Sequence, residues 1–188
     1  MSAGARRLPA EEGLWAFVIA DMTVFAIFFN VFAYYRAREP DIFHAGQTTL
    51  DTSLGLANTL ILLTSSLFIV LALGAVRQHD RAKVVTRLTI ALLCGVTFGA
   101  LKIVEYSEKV SAGYTPVSND FYMLYFMFTG IHLLHLTIGA VAVLAIIGLA
   151  RRTDWNEGHV RYFESVAIYW HMVDLLWVIL FPLIYLVR

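Results

Sequence analysis

The chain reads as an all-α membrane protein, a single bundle of five transmembrane helices, on three grounds. Apolar residues make up 59% of the 188 and charged residues only 15%, where soluble domains average about 25% charged. The mean hydropathy of +0.70 leaves too little polar surface to clothe a water-soluble globule of 21.1 kDa. The apolar residues also fall in five runs, each able to supply the roughly 20 helical residues that a hydrocarbon core of about 30 Å requires. None shows the alternation of a barrel strand. Fourteen basic against fourteen acidic residues remove the positive field of a nucleic-acid binder.

The first span is expected over 14–35. Arg6 and Arg7 precede it, yet it is too long for a signal-peptide core and contains Asp21 without an evident cleavage site. It therefore reads as a retained helix. The second span covers 54–76 and the third 88–108, its apolar run closing at Tyr106. The fourth, 121–150, is long enough that it must tilt or project, and the fifth covers 162–187. Connections such as Arg38-Glu39-Pro40-Asp41 and Asp154-Trp155-Asn156-Glu157-Gly158 are short and carry turn chemistry, so residues 1–188 are one transmembrane domain with nothing soluble attached. An odd number of spans puts the termini on opposite sides. With the N-terminus cytoplasmic, that side holds nine basic residues, among them Arg77, Arg81, Lys83, Arg87, Arg151, Arg152 and Arg161, against five opposite, namely Arg36, Arg38, Lys102, Lys109 and Arg188. The positive-inside bias thus favours N-in and C-out.

Several chemistries have no foothold. The single Cys94, inside an apolar run, cannot form an intrachain disulfide or a multi-thiolate metal site. There is no Gly-rich phosphate loop, no Ser in a nucleophile elbow, and no half-to-half similarity of the kind that marks transporters with internal symmetry.

Polar residues inside the runs carry the functional signal. An acidic residue near mid-span costs about 2.5–3.5 kcal/mol to insert, and each Leu, Ile, Phe or Val returns about 0.3–0.6. The first helix can therefore tolerate Asp21, provided its carboxylate faces protein. On the last helix Glu164, Ile168, His171 and Leu175 share one face, with Asp174 close by. The fourth span repeats the pattern with Phe128, His132, His135 and Gly139, and the third aligns Gly95, Gly99, Lys102 and Tyr106, with Glu105 beside them. Such stripes belong in a bundle interior. Lys102 and Glu105 lie near the end of their helix and read as a solvated or snorkelling ion pair rather than a proton relay. Gly95 and Gly99, like Gly130 and Gly139, read as helix-packing positions. The aromatics Trp155, Trp170, Trp177 and Tyr185 read as interfacial belt and packing. His132 and His135 could both face a haem, with His171 opposite; the competing reading is that these imidazoles hydrogen-bond to carboxylates such as Asp21 or Asp174.

In order along the chain, these residues resemble the cytochrome c oxidase subunit III family, the third subunit of haem-copper respiratory oxidases, in its short five-helix form. Tyr169-Trp170-His171-Met172-Val173-Asp174-Leu175-Leu176-Trp177 is similar to the family's Y-W-H-x-V-D-x-x-W, with Glu164 in the place of its upstream acidic residue. Thr129-Gly130-Ile131-His132-Leu133-Leu134-His135-Leu136-Thr137-Ile138-Gly139 fits T-G-x-H-x-x-H-x-x-x-G, and Asn58 to Leu67 with Ser65-Ser66, and Glu105-Tyr106, add weaker agreement. Two departures stand out. Ala20-Asp21 occupies the place of the family's Ser-Glu, which points towards the branch associated with nitric oxide reduction, and the long form's two additional N-terminal helices have no counterpart.

The resemblance implies an accessory subunit without haem or copper, packed against a large catalytic haem-copper subunit and other oxidase subunits in a bacterial cytoplasmic (inner) membrane. It also implies bound phospholipid, and a part in complex stability and proton uptake. Residue counting agrees: three intramembrane imidazoles and one cysteine are too few for a two-haem-plus-copper centre or a dinuclear copper site. Two alternatives accompany this reading, an accessory protein of nitric oxide reductase and a small b-type cytochrome with one haem between the fourth and fifth spans.

Overall fold

In the computed structural model the described residues, 12–152 and 157–187, form six α-helices and no strand: α1 (Glu12–Arg38), α2 (Pro40–Thr48), α3 (Thr52–Arg77), α4 (Arg81–Ser111), α5 (Asp120–Arg152) and α6 (Glu157–Phe181). A π-helical turn over Pro182–Leu186 follows α6. All but α2 are long and apolar enough to cross a membrane, so the expected five-helix architecture is the one observed. Arg6, Arg7, Trp155, Arg188 and residues 154–156 of the last connection lie outside the described residues.

The helices begin and end on local chemistry. Asp51 caps α3, its Oδ1 accepting from the N–H groups of Ser53 and Leu54 at 2.8 and 3.2 Å. Asp80 caps α4 by accepting from Lys83 N at 3.0 Å and pairs with the Lys83 ammonium at 2.7 Å. Those contacts hold the Asp80 carboxyl below the usual carboxylate range. Between α3 and α4 the chain reverses through His79, whose φ of 55° is a left-handed value for a residue bearing a Cβ. The tight hairpin keeps α3 and α4 antiparallel along their whole length, stapled by Ser65 Oγ donating to Ala91 O at 2.8 Å and Arg87 donating to Leu71 O at 2.5 Å. At the other end of α6, Pro182 lacks the N–H that would continue the α pattern. The ladder widens instead, and Val187 N donates to Pro182 O at 2.9 Å.

α6 is the central element: it packs on α1, α3 and α5, and α4 closes the group by packing on α3 and α5. The core is dominated by large side chains, with Trp170, Trp177, Phe98, Phe128, Tyr125 and Tyr185 all at most 1% exposed. Trp170 and Trp177 are thus packing residues, not an interfacial belt. α1 sits at the periphery, with 11% of its most apolar stretch buried against 61% for the last span.

One element departs from the sequence reading. The segment after Arg38-Glu39-Pro40-Asp41, read as a turn, is the helix α2. Pro40 stands in its first turn, where a missing N–H costs nothing. α2 turns Phe43 inward between Phe32 and Phe121, with ring centroids 5.1 and 5.6 Å away. Its Gln47 donates from Nε2 to Ile184 O at 3.1 Å, tying α2 to the π-helical turn.

Candidate functional site

Ionisable side chains meet at three places in the bundle. The first is at the end where α4 terminates. Lys102 Nζ donates to Glu105 Oε2 at 3.1 Å, to Tyr185 OH at 2.8 Å and to Tyr125 OH at 3.4 Å. Tyr125 and Tyr185 in turn each donate to Glu105 Oε1 at 2.6 Å. The ammonium also lies 5.1–5.6 Å from the ring centroids of Tyr106, Tyr125, Trp177 and Tyr185. Lys102 and Glu105 side chains are 1% and 3% exposed, which overturns the expectation of a solvated or snorkelling pair. The residues that cover them come from α5 and from the π-helical turn, far away in sequence. With its Oε1 taking two phenols and its Oε2 the ammonium, Glu105 has the additional hydrogen bonds that a buried ion pair needs if its attraction is to offset desolvation. Beside it Thr129 Oγ1 donates to Tyr125 O at 2.6 Å, so Tyr106 is the donor in its 2.5 Å contact with Thr129 Oγ1. Next door, Lys109 donates to Thr49 O at the start of the α2–α3 link.

The second place joins α1 to α5. Asp21 Oδ1 lies 3.1 Å from His135 Nε2, both side chains 13% exposed, so the carboxylate faces protein. His135 Nδ1 lies 2.8 Å from Ile131 O. A carbonyl oxygen only accepts, so Nδ1 carries a proton, and the Nε2–Asp21 contact must hold one further proton, on the ring or on the carboxyl. Either way the pair is neutral overall, while Asp21 Oδ2 is buried with no hydrogen-bond partner among the described residues. Tyr169 OH donates to His135 O at 3.1 Å, and its ring stacks on the imidazole at 6.5 Å.

The third place is the middle of α3, α5 and α6. His132 is fully buried against Trp177 and Phe98, with centroids 5.2 and 5.5 Å away. Trp177 Nε1 donates to Thr59 Oγ1 at 3.0 Å. His171 Nδ1 contacts Ser66 Oγ at 2.7 Å. Asp174 is 4% exposed, with Ser66 beside it. Both carboxylate oxygens of Asp174, the ring nitrogens of His132 and the carboxamide of Asn58 find no hydrogen-bond partner among the described residues, so no imidazole bonds to Asp174 as the sequence suggested.

The stripe on α6 is split. Glu164, Ile168 and His171 line an open groove of about 220 Å3 against Val70, Leu73 and Arg77 of α3. Glu164, read as buried, is 23% exposed at its rim, 3.9 Å from Arg77. Leu175, placed on the same face, is 49% exposed. Among the glycines, a Cβ on Gly95 or Gly139 would lie 3.0 or 3.1 Å from the Trp170 ring, so both admit that indole. Gly99 meets Leu133 only at ordinary distance, and Gly130 has nothing within 4 Å, so Gly130 is no packing position. Reading by stripes passed over Thr59, Tyr125 and Gln47, whose partners lie in other elements; Tyr125, two turns before His132 on the same face of α5, was the one with a periodicity signal.

Residues 7–187 match the family model described as cytochrome c oxidase subunit III. The chain is 30% identical to a cytochrome c oxidase subunit 3 of Petromyzon marinus, covering 97% of this chain and 72% of that protein. It is also 30% identical to the cytochrome c oxidase subunit 3 of Synechocystis, over 93% of this chain and 74% of that one. A probable quinol oxidase subunit 3 of Staphylococcus aureus is 27% identical, with 93% and 87% covered.

Proposed function

The chain belongs to the cytochrome c oxidase subunit III family, and we propose that it is an accessory, non-redox subunit of a respiratory haem-copper terminal oxidase. In this reading it is a multi-pass protein of a bacterial cytoplasmic membrane, with its N-terminus inside. It stabilises the large catalytic subunit and supports that subunit's proton uptake. Haem and copper reside in the partner subunits, and phospholipid covers apolar faces such as the α3–α6 groove.

The observation that carries the reading is the pairing of four ionisable groups with one another inside the bundle. Lys102 and Glu105 close a network with Tyr125 and Tyr185, and Asp21 pairs with His135. The three imidazoles inside the spans attend three different neighbours: His135 the carboxylate on α1, His171 the hydroxyl on α3, His132 the indole of α6. That arrangement supports a structural wall over a small b-type cytochrome, which needs two imidazoles converging on one iron. A preorganised wall of this kind would keep an adjoining proton path correctly ionised.

Purification from the native membrane in mild detergent tests the proposal. The expected result is co-purification with a haem-bearing subunit, and a colourless chain once separated from it. A Soret band that stays with the isolated chain would overturn the assignment. Ala20-Asp21 in place of Ser-Glu favours one second reading, an accessory protein of nitric oxide reductase. The same preparation discriminates, because the complex would then reduce nitric oxide and not oxygen.

A further inference from the structure

The outer face of α1 carries a pattern that the bundle itself does not use. Ala16, Ala20, Thr23, Ile27, Asn30 and Tyr34 recur at alternating intervals of four and three, and all six are exposed. An alternation of four and three is the spacing of a helix–helix seam, and small residues with an interspersed amide are what let transmembrane helices approach and hydrogen-bond.

Asn30 decides between lipid and protein as the neighbour of this face. At 1.5 Å per residue it lies about 8 Å from the midpoint of α1, well inside a hydrocarbon core of roughly 30 Å. Its Nδ2 donates to Ala26 O at 2.8 Å, which uses one of its two N–H groups and leaves Oδ1 without a partner among the described residues. The exposed hydroxyls of Thr23, Thr64, Thr97 and Thr137 differ in kind. Each donates to the carbonyl four residues back, at 2.7–2.8 Å, and is compatible with acyl chains. A carboxamide left half-satisfied in hydrocarbon is not.

We propose that the Ala16–Tyr34 seam of α1 is a docking surface for a transmembrane helix of the haem-bearing subunit, one that offers a hydrogen-bonding side chain at the depth of Asn30. This rests on the accessory-subunit reading above and names where that partner sits. At the end of the seam Tyr34 holds Arg38, with Nη1 donating to the phenol oxygen at 3.0 Å and the guanidinium carbon 5.5 Å from the ring. A second copy of this chain does not fit, because two parallel copies would set Arg38 against Arg38.

The test uses the complex expressed in its own membrane. N30L and A20W alter the seam, and T64L and L67W alter the exposed face of α3. The haem-bearing subunit recovered with N30L should fall roughly three- to twentyfold, the range that one interhelical hydrogen bond supplies. Recovery with A20W should fall further, while the α3 variants retain it and all four chains keep the parent's melting temperature. In a C94S background, I27C should form a disulfide or bismaleimide link to the haem-bearing polypeptide and L63C should not. Full recovery with both seam variants, equal loss with the α3 variants, or an I27C link between two copies of this chain would each overturn the inference. Failure of the accessory-subunit reading is distinct, since it would show in the parent chain as recovery of no haem-bearing subunit at all.

Discussion

Replacing Lys102 by Met should destabilise the folded bundle by about 3 kcal/mol, and the size of that loss follows from the geometry around Glu105. Removing one member of a buried ion pair costs about 3–5 kcal/mol, because the other charge is stranded. Here the stranded carboxylate keeps two phenol donors at 2.6 Å, and hydrogen bonds to a charged group are worth about 1.5–3 kcal/mol each. The lower end of the range is therefore expected. E105Q leaves the ammonium on Tyr185 and in its aromatic cage and should cost about 2 kcal/mol. K102M/E105Q removes both charges while the carboxamide oxygen still accepts from the phenols, and should fall within about 1 kcal/mol of the parent. The four chains form a double-mutant cycle, read by reversible unfolding in mixed detergent–SDS micelles, with an expected coupling of at least about 2 kcal/mol. A solvated pair would give single losses of about 0–1 kcal/mol and a coupling near zero. That result would refute the buried network and restore the snorkelling pair.

Other expectations can be checked alongside. G46A should lower stability by about 1–3 kcal/mol through overpacking, because the new Cβ would lie 2.1 Å from a ring carbon of buried Phe121. G130A, with open space around it, should be neutral or stabilising by up to about 1 kcal/mol; in thermal melts G46A should fall and G130A should hold or rise. H171A should reduce the yield of intact complex by removing the ring that contacts Ser66 across the α3–α6 interface, and unchanged yield and turnover would contradict that role. The Asp80 carboxyl is held below its usual range by Lys83, so its contribution is present in full above about pH 4 and is lost as pH falls through the lowered value. The melting temperature of D80N should accordingly vary less between pH 6 and pH 3 than that of the parent, and equal slopes would remove the cap from the account.

What the sequence made legible is what depends on local or one-dimensional physics. The five spans follow from run length against bilayer thickness, and the inward placement of Asp21 follows from the cost of a carboxylate in hydrocarbon. α2 was hidden because Pro40 serves equally as a turn residue and as the first residue of a helix. Only the pocket between Phe32 and Phe121 shows why the segment is held against the bundle. Lys102 and Glu105 were misjudged for a related reason. Their place near a helix end suggests water, yet their cover comes from Tyr125 and Tyr185, 23 and 83 residues along from Lys102. Gly95 and Gly130 look alike in sequence and differ only in whether an indole stands opposite. Glu164 shares a helical face with His171, but that face opens on a groove rather than on the core.

Whether this chain supports a redox machine without carrying redox centres is decided in the assembled complex, stripped of this chain and then reconstituted with it. Haem content and the reduced-minus-oxidised spectrum per catalytic subunit should be the same in both preparations, while proton uptake slows on removal and recovers on return. Loss of a haem band in proportion to the chain removed, or proton uptake indifferent to its presence, would contradict it.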